Sequence, residues 1–288
     1  MSYLETKAFQ EKIMVAVVQE FDAKTFVKVR ASLDSSEQSW LTWAGSIYAF
    51  IPGEKRQRLF KMVGMSVSRC LPAEQEGVWD FVSRELTYYL DPHTNEILHQ
   101  WNNPWTGEIL PVMHVANNPV QAYFQGQFPA HQGQFPAQVD GEIATFAFDL
   151  FPTYPNPLAE EEQFREYSPQ AIYQAAELFK LTVPLTDLLN PELNSVSRLH
   201  LGWDRIGPWL PWMKMGDRPG QLIYSAYGSR VNGLADLPQP LQSEINTRVP
   251  AYKSAPQSLQ DESDLTSWLY FKQYFAAYLA GATFPIPE

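Results

Sequence analysis

Asp91-Pro92-His93-Thr94-Asn95-Glu96-Ile97-Leu98 is echoed twelve residues later by Asn103-Pro104-Trp105-Thr106-Gly107-Glu108-Ile109-Leu110. Each copy opens on Asp or Asn, continues with Pro, and places Asn95 or Gly107 where a positive φ is needed. That is the chemistry of a type I turn closed by a left-handed residue, a common hairpin connection. The residues between the copies, Ile97–Asn102, are of strand length and too few for a helix with two loops. The pattern predicts three consecutive antiparallel strands at Trp79–Leu90, Glu96–Asn102 and Glu108–Ala116.

Working outward, Ser39–Ile51 and Arg58–Arg69 have strand-like patterns and flank Pro52-Gly53-Glu54-Lys55. Pro presets φ and Gly accepts a positive one, so this pair reads as a hairpin. Further strands are expected at Glu142–Phe151, Tyr173–Val183, Val196–Trp203 and Gln221–Ser229. Helical spacing marks residues 6–33, Pro240–Val249 and Asp264–Ala280, the last with Asp264 as a candidate N-cap. Gly126-Gln127-Phe128-Pro129-Ala130 recurs as Gly133-Gln134-Phe135-Pro136-Ala137. Pro and Gly at that density predict an extended surface loop, with a flap over a cavity as the alternative. About nine sequential strands without crossover-helix spacing do not suit a parallel sheet. The expected class is mainly β (α+β): an antiparallel meander closing into a lipocalin-like barrel, flanked by N- and C-terminal helices, with a sandwich as the alternative. Residues 1–37 are expected to be a helical segment packing on the barrel. Residues 38–288 then form a single antiparallel β-barrel domain with C-terminal helices.

Composition narrows the function classes. Aromatic residues reach 14% against 18% charged, a balance that favours ordered strands over disorder. The formal net charge of −11 repels phosphate backbones and anionic lipid surfaces, so nucleic acid is not an expected partner. Cys70 is the single cysteine, which excludes an intrachain disulfide and a cysteine metal cluster; it reads as a small buried apolar residue. The first twenty residues carry scattered charges unlike a signal peptide, and no run of about 20 apolar residues exists to span a membrane. A cytoplasmic location is the expectation. Gly107 and Gly216 belong to no dinucleotide or Walker pattern, and Ser225 and Ser229 to no nucleophile elbow. No cofactor is expected. His93, His99, His114, His131 and His200 show no paired metal-ligand spacing, so no metal is expected. A set drawn from distant strands, such as His99 and His114 with a carboxylate, is the remaining metal option.

From Tyr88 the chain reads Tyr-Tyr-Leu-Asp-Pro-x-Thr-x-Glu-x-Leu-x-x-Trp-x-Asn-Pro-x-Thr-Gly-Glu, followed by His114-Val115-Ala116-Asn117-Asn118-Pro119-Val120. Together with Trp209–Gly220, Asp236-Leu237-Pro238, Tyr252 and Pro256, this resembles the bacterial family catalogued as domain of unknown function 1838. The resemblance spans most of residues 38–275 and implies one domain there, but lends no reaction. It directs attention to His114–Val120 and Trp209–Gly220. Asn118 stands where the resemblance implies Asp, so a step needing that carboxylate is not expected here.

The aromatic set supplies the functional lead. Trp101, Trp203, Trp209 and Trp212 with Met213 offer large, adaptable area of the kind that lines apolar pockets, and equally fills cores. Asn117, Asn118 and Arg218 are candidate polar anchors, with turn chemistry as the plainer role of each. His114 falls late in its strand on the side of Leu110 and Val112; it is either an acid/base in the cavity or a satisfied core histidine. The expected function is binding of a small, largely apolar ligand in a β-barrel cavity. The alternatives are a cofactor-independent isomerase, lyase or cyclase using His114, and, third, an interaction scaffold.

Overall fold

The two repeated turns form as their residues dictate, in the computed structural model that describes residues 17–124, 134–260 and 266–287. Asn95 and Gly107 have φ of 66° and 74°. The Asp91 carboxylate accepts from the amides of His93 and Thr94 at 2.7 and 2.9 Å, and the Asn103 side-chain oxygen accepts from Trp105 and Thr106 at 3.0 and 3.3 Å. One turn has Asp and the other Asn for a physical reason. Asp91 is on the surface, whereas Asn103 is fully buried, with Nδ2 donating to the Met213 carbonyl at 3.1 Å. A carboxylate there would lose that donor and bury a charge.

In chain order the elements begin with β1 (Val17–Asp22), α1 (Ala23–Arg30), β2 (Ser39–Phe50), β3 (Gln57–Pro72) and β4 (Trp79–Leu90). Next come β5 (Gln100–Asn102), β6 (Ile109–Pro111), β7 (Val115–Tyr123), β8 (Gln134–Asp140) and β9 (Ile143–Leu150). After β10 (Thr153–Pro155) and β11 (Ile172–Gln174) follow β12 (Ala176–Pro184), α2 (Leu185–Leu189), β13 (His200–Gly207) and β14 (Gln221–Val231). The chain ends with α3 (Gln239–Thr247) and α4 (Ser267–Leu279). Ten strands form one antiparallel sheet in the order β1-β8-β9-β12-β13-β14-β2-β3-β4-β7. The sheet curls into a half-barrel, so the architecture is mainly β and antiparallel, as the sequence predicts. Its end strands β1 and β7 are not paired with each other among the described residues. Phe26 of α1 spans that gap, stacked 4.2 Å from Phe135 on β8 and edge-on at 5.4 Å to Phe124 after β7.

Three expectations need correction. The meander does not continue as one sheet: β5 and β6 peel off as a separate two-stranded hairpin, and β7 returns to pair with β4. A single Leu90–Ile97 bridge is all that joins the first turn to β4, because the hairpin packs instead on the 211–213 segment. Val17–Asp22 is strand rather than helix, since two β-branched residues at its start pair along β8. The second Gly-Gln-Phe-Pro-Ala copy is also strand from Gln134. β9 pairs with β8 only from Ala137 onward, so Pro136 has one ladder partner, β1, and deprives the sheet of little. The first copy, the rest of the proposed flap, the N-terminal part of the 6–33 helix and Asp264 lie outside the described residues.

The curl follows from the inner face. Registered partners Phe146-Leu181-Leu201-Gly228-Trp43-Gly64-Thr87 form one rung across β9, β12, β13, β14, β2, β3 and β4. At Gly228 a Cβ would meet the Thr42 carbonyl oxygen at 2.0 Å, and at Gly64 the Trp43 indole at 2.3 Å. Only bare backbone lets β14 and β2 approach so closely and lets Trp43 lie across β3. On the outer face α3 covers β3 and β4, with Tyr88 Oη donating to the Glu244 carboxylate at 3.1 Å. Cover on both sides is why β3 is buried along most of its length.

Candidate functional site

Cross-strand partners share a face of a sheet. On the concave side, next to the glycine rung, runs Phe148-Phe179-Trp203-Ala226-Gly45-Met62-Tyr89. Its first three rings stack: Phe148 on Phe179 at 5.0 Å and 18°, Phe179 on Trp203 at 6.1 Å and 7°. Trp43 meets Trp203 edge-on at 6.2 Å. Phe148, Phe179 and Trp203 are only half-buried, although they lie on the inner face of the half-barrel. Among the described residues, the indole N–H groups of Trp43 and Trp203 and the side-chain oxygen of Asn117 are buried without a hydrogen-bond partner. Each such orphan costs about 1–3 kcal/mol, and its presence calls for an explanation.

The trough is closed at one end by the aromatic hairpin. Trp212 is fully buried and contacts Phe60, Tyr89 and Trp101 at 5.6–5.9 Å. Trp105 packs on Trp209 at 5.5 Å, and Arg218 lies over Trp105 while pairing with Glu54 at 3.6 Å. At the other end α1 enters, with Phe26 against Phe146 and Phe148. On the rung beside the plug, Arg205 is buried beneath Tyr224 and Trp268, bonded to Tyr173 Oη at 3.0 Å and paired with Glu177 at 3.3 Å. Burial opposes its charge, but Tyr173, Tyr224 and Glu177 together outweigh that, so the guanidinium stays protonated.

The structure therefore divides the residues singled out in the sequence. Trp101, Trp209, Trp212, Met213 and Arg218 do come together, but as the packed plug rather than as a wall open to a ligand. Trp203 alone of that set sits on the rung of Phe148 and Phe179. Asn117 pairs with Glu85 across β7 and β4 on the concave face, whereas Asn118 precedes a cis Pro119 and accepts from Arg84 Nε at 2.9 Å. His114 is 2% exposed, with its rings contacts to Tyr88 and Tyr89 at 4.8 and 5.8 Å. Its Nδ1 accepts the Tyr89 amide at 3.1 Å, and Nε2 is buried with no hydrogen-bond partner among the described residues. Burial, helped by His99 and Arg248, lowers its pKa to about 3, so the imidazole is neutral and sealed in protein. Among the described residues no three His, Cys, Asp or Glu side chains gather where they could hold a metal. No described helix is long and apolar enough to cross a membrane.

Sequence reasoning missed Trp43, Phe148, Phe179 and Arg30. The alternation around Phe146 and Phe148 marks them as one strand face, but only the β9-β12-β13 register shows which rings stack. The model of a family described as protein of unknown function (DUF1838) matches residues 36–275 of the chain. No curated protein matches it.

Proposed function

We propose, from geometry because the chain belongs to the DUF1838 family and that membership lends it no reaction, that it binds a small, largely apolar molecule on the concave face of the half-barrel. The observation that carries this is the half-buried stack Phe148-Phe179-Trp203 between the Trp212 plug and α1. A protein gains by burying such rings, at roughly 25 cal/mol per Å2 of apolar surface, and these three keep part of theirs accessible although they lie on the inner face. Acid/base turnover by His114 is not part of this reading, since its ring is neutral and enclosed.

The test is titration of the full-length protein with 1-pyrenebutanol, followed by quenching of tryptophan emission, for the native chain and Phe179→Ala. Saturable 1:1 binding, weakened about tenfold by loss of the central ring, is the expected result. Binding that never saturates, or that is indifferent to Phe179, sinks the proposal.

A further inference from the structure

The stack of rings ends on a charge. Arg30, the last residue of α1, holds its guanidinium carbon 4.7 Å from the Phe81 ring centre and 6.0 Å from that of Phe148, the outermost ring of the ladder. Its guanidinium makes no hydrogen bond and no ion pair among the described residues, while its carbonyl accepts from Ser68 Oγ at 3.3 Å. The other enclosed arginines are committed. Arg230 donates to the carbonyls of Lys28, Val29 and Val196, closing the end of α1. Arg84 donates to Asn118, Ala251 and Ser254, and Arg205 is held by Tyr173 and Glu177.

A guanidinium resting on aromatic rings still has N–H groups to give in in-plane bonds. Burial disfavours the Arg30 charge; Glu85 on β4 and Cys70 on β3 offset it in part through space, and among the described residues no carboxylate pairs with it. Arg230, close enough to feel Arg30, adds a second positive charge to this region of a chain whose net charge is −11. A cation so placed matches one planar anion in the trough.

We propose that Arg30 is the anchor for an acidic group, so that the molecule held on the concave face is an amphipathic carboxylate: apolar body along Phe148, Phe179 and Trp203, anion on the Arg30 edge. This rests on the binding reading above and names its ligand class. A carboxylate fits better than a phosphate, because the other enclosed arginines are committed and one guanidinium would leave a doubly charged group undercompensated.

The experiment uses 1-pyrenebutyric acid and 1-pyrenebutanol, which differ only in the head group, with native full-length protein, Arg30→Gln and Arg30→Lys. Native protein is expected to favour the acid by about tenfold or more, the ratio that a hydrogen-bonded charge contributes. Arg30→Gln removes that preference while holding the alcohol's affinity within about twofold, and Arg30→Lys retains part of it. Melting curves establish that each variant is folded; should Arg30→Gln not fold, the native ratio and Arg30→Lys decide. Equal affinity of native protein for both probes overturns the anchor and leaves the apolar site standing. An acid preference that survives Arg30→Gln removes the assignment to Arg30. Failure of both probes to saturate overturns the binding reading itself.

Discussion

The buried imidazole of His114 couples the stability of this fold to pH. In the unfolded chain a histidine titrates near pH 6.5. In the fold the pKa is lowered to about 3, first by burial and then by His99 and Arg248, and Nδ1 is occupied in accepting the Tyr89 amide. Between those values the unfolded chain holds a proton that the folded one refuses. The stabilisation is therefore complete above about pH 6.5 and is lost as pH falls through the window toward 3. Each pH unit inside it removes up to about 1.4 kcal/mol, or an order of about 5 kcal/mol over the whole interval. His114→Asn places an amide oxygen where Nδ1 now accepts, and it does not titrate. Urea unfolding of both proteins at pH 7, 6, 5 and 4.5 gives two stability curves, and groups that titrate in both cancel in their difference. At pH 7 the native protein is expected to be the more stable. The gap then closes by about 2 kcal/mol between pH 6 and 4.5. Parallel curves would refute the reasoning, because they would mean that His114 titrates alike in both states.

Two other outcomes follow from the inner face. Gly228→Ala, whose Cβ would stand 2.0 Å from the Thr42 carbonyl oxygen, forces β14 from β2 and is expected to cost about 2–4 kcal/mol, whereas Gly202→Ala, with 3.7 Å to Lys180 Cβ, stays within about 1. Equal urea midpoints for the two variants would remove the close-approach account of the curl. The Cys70 thiol is pushed up to about 12 by burial, which Arg30 and Arg230 only partly offset, so a thiol-disulfide reagent at pH 8 should label it only after denaturation. Rapid labelling of the folded chain would place Cys70 elsewhere than the interior.

Much of the strand pattern is legible in the chain because local chemistry decides it. Trp79–Leu90 is read to its true ends, and the hairpin of β2 and β3 follows from Pro52-Gly53, with Gly53 at a φ of 80°. The histidine shows the limit. Period-2 spacing put His114 on the side of Leu110 and Val112, and all three are indeed buried. Whether that burial meant a cavity or a sealed contact depended on Tyr88 and Tyr89, some 25 residues earlier in the chain. Likewise the cluster of Trp and Met residues was visible as composition, yet its role as a plug came from the β5–β6 hairpin leaving the sheet to bond Met213.

The sequence by itself determined the two repeated turns, since Pro, a side-chain acceptor and a residue tolerant of positive φ act within a few bonds of one another. It determined the antiparallel class for the same reason. Only the tertiary structure decided which side chains share the concave face. Phe148, Phe179 and Trp203 come from three separate strands, and Arg30 reaches them from a helix, so their meeting depends on register and curl. Those are set by bare backbone at Gly64 and Gly228 and by contacts far apart in the chain, where no short-range rule applies.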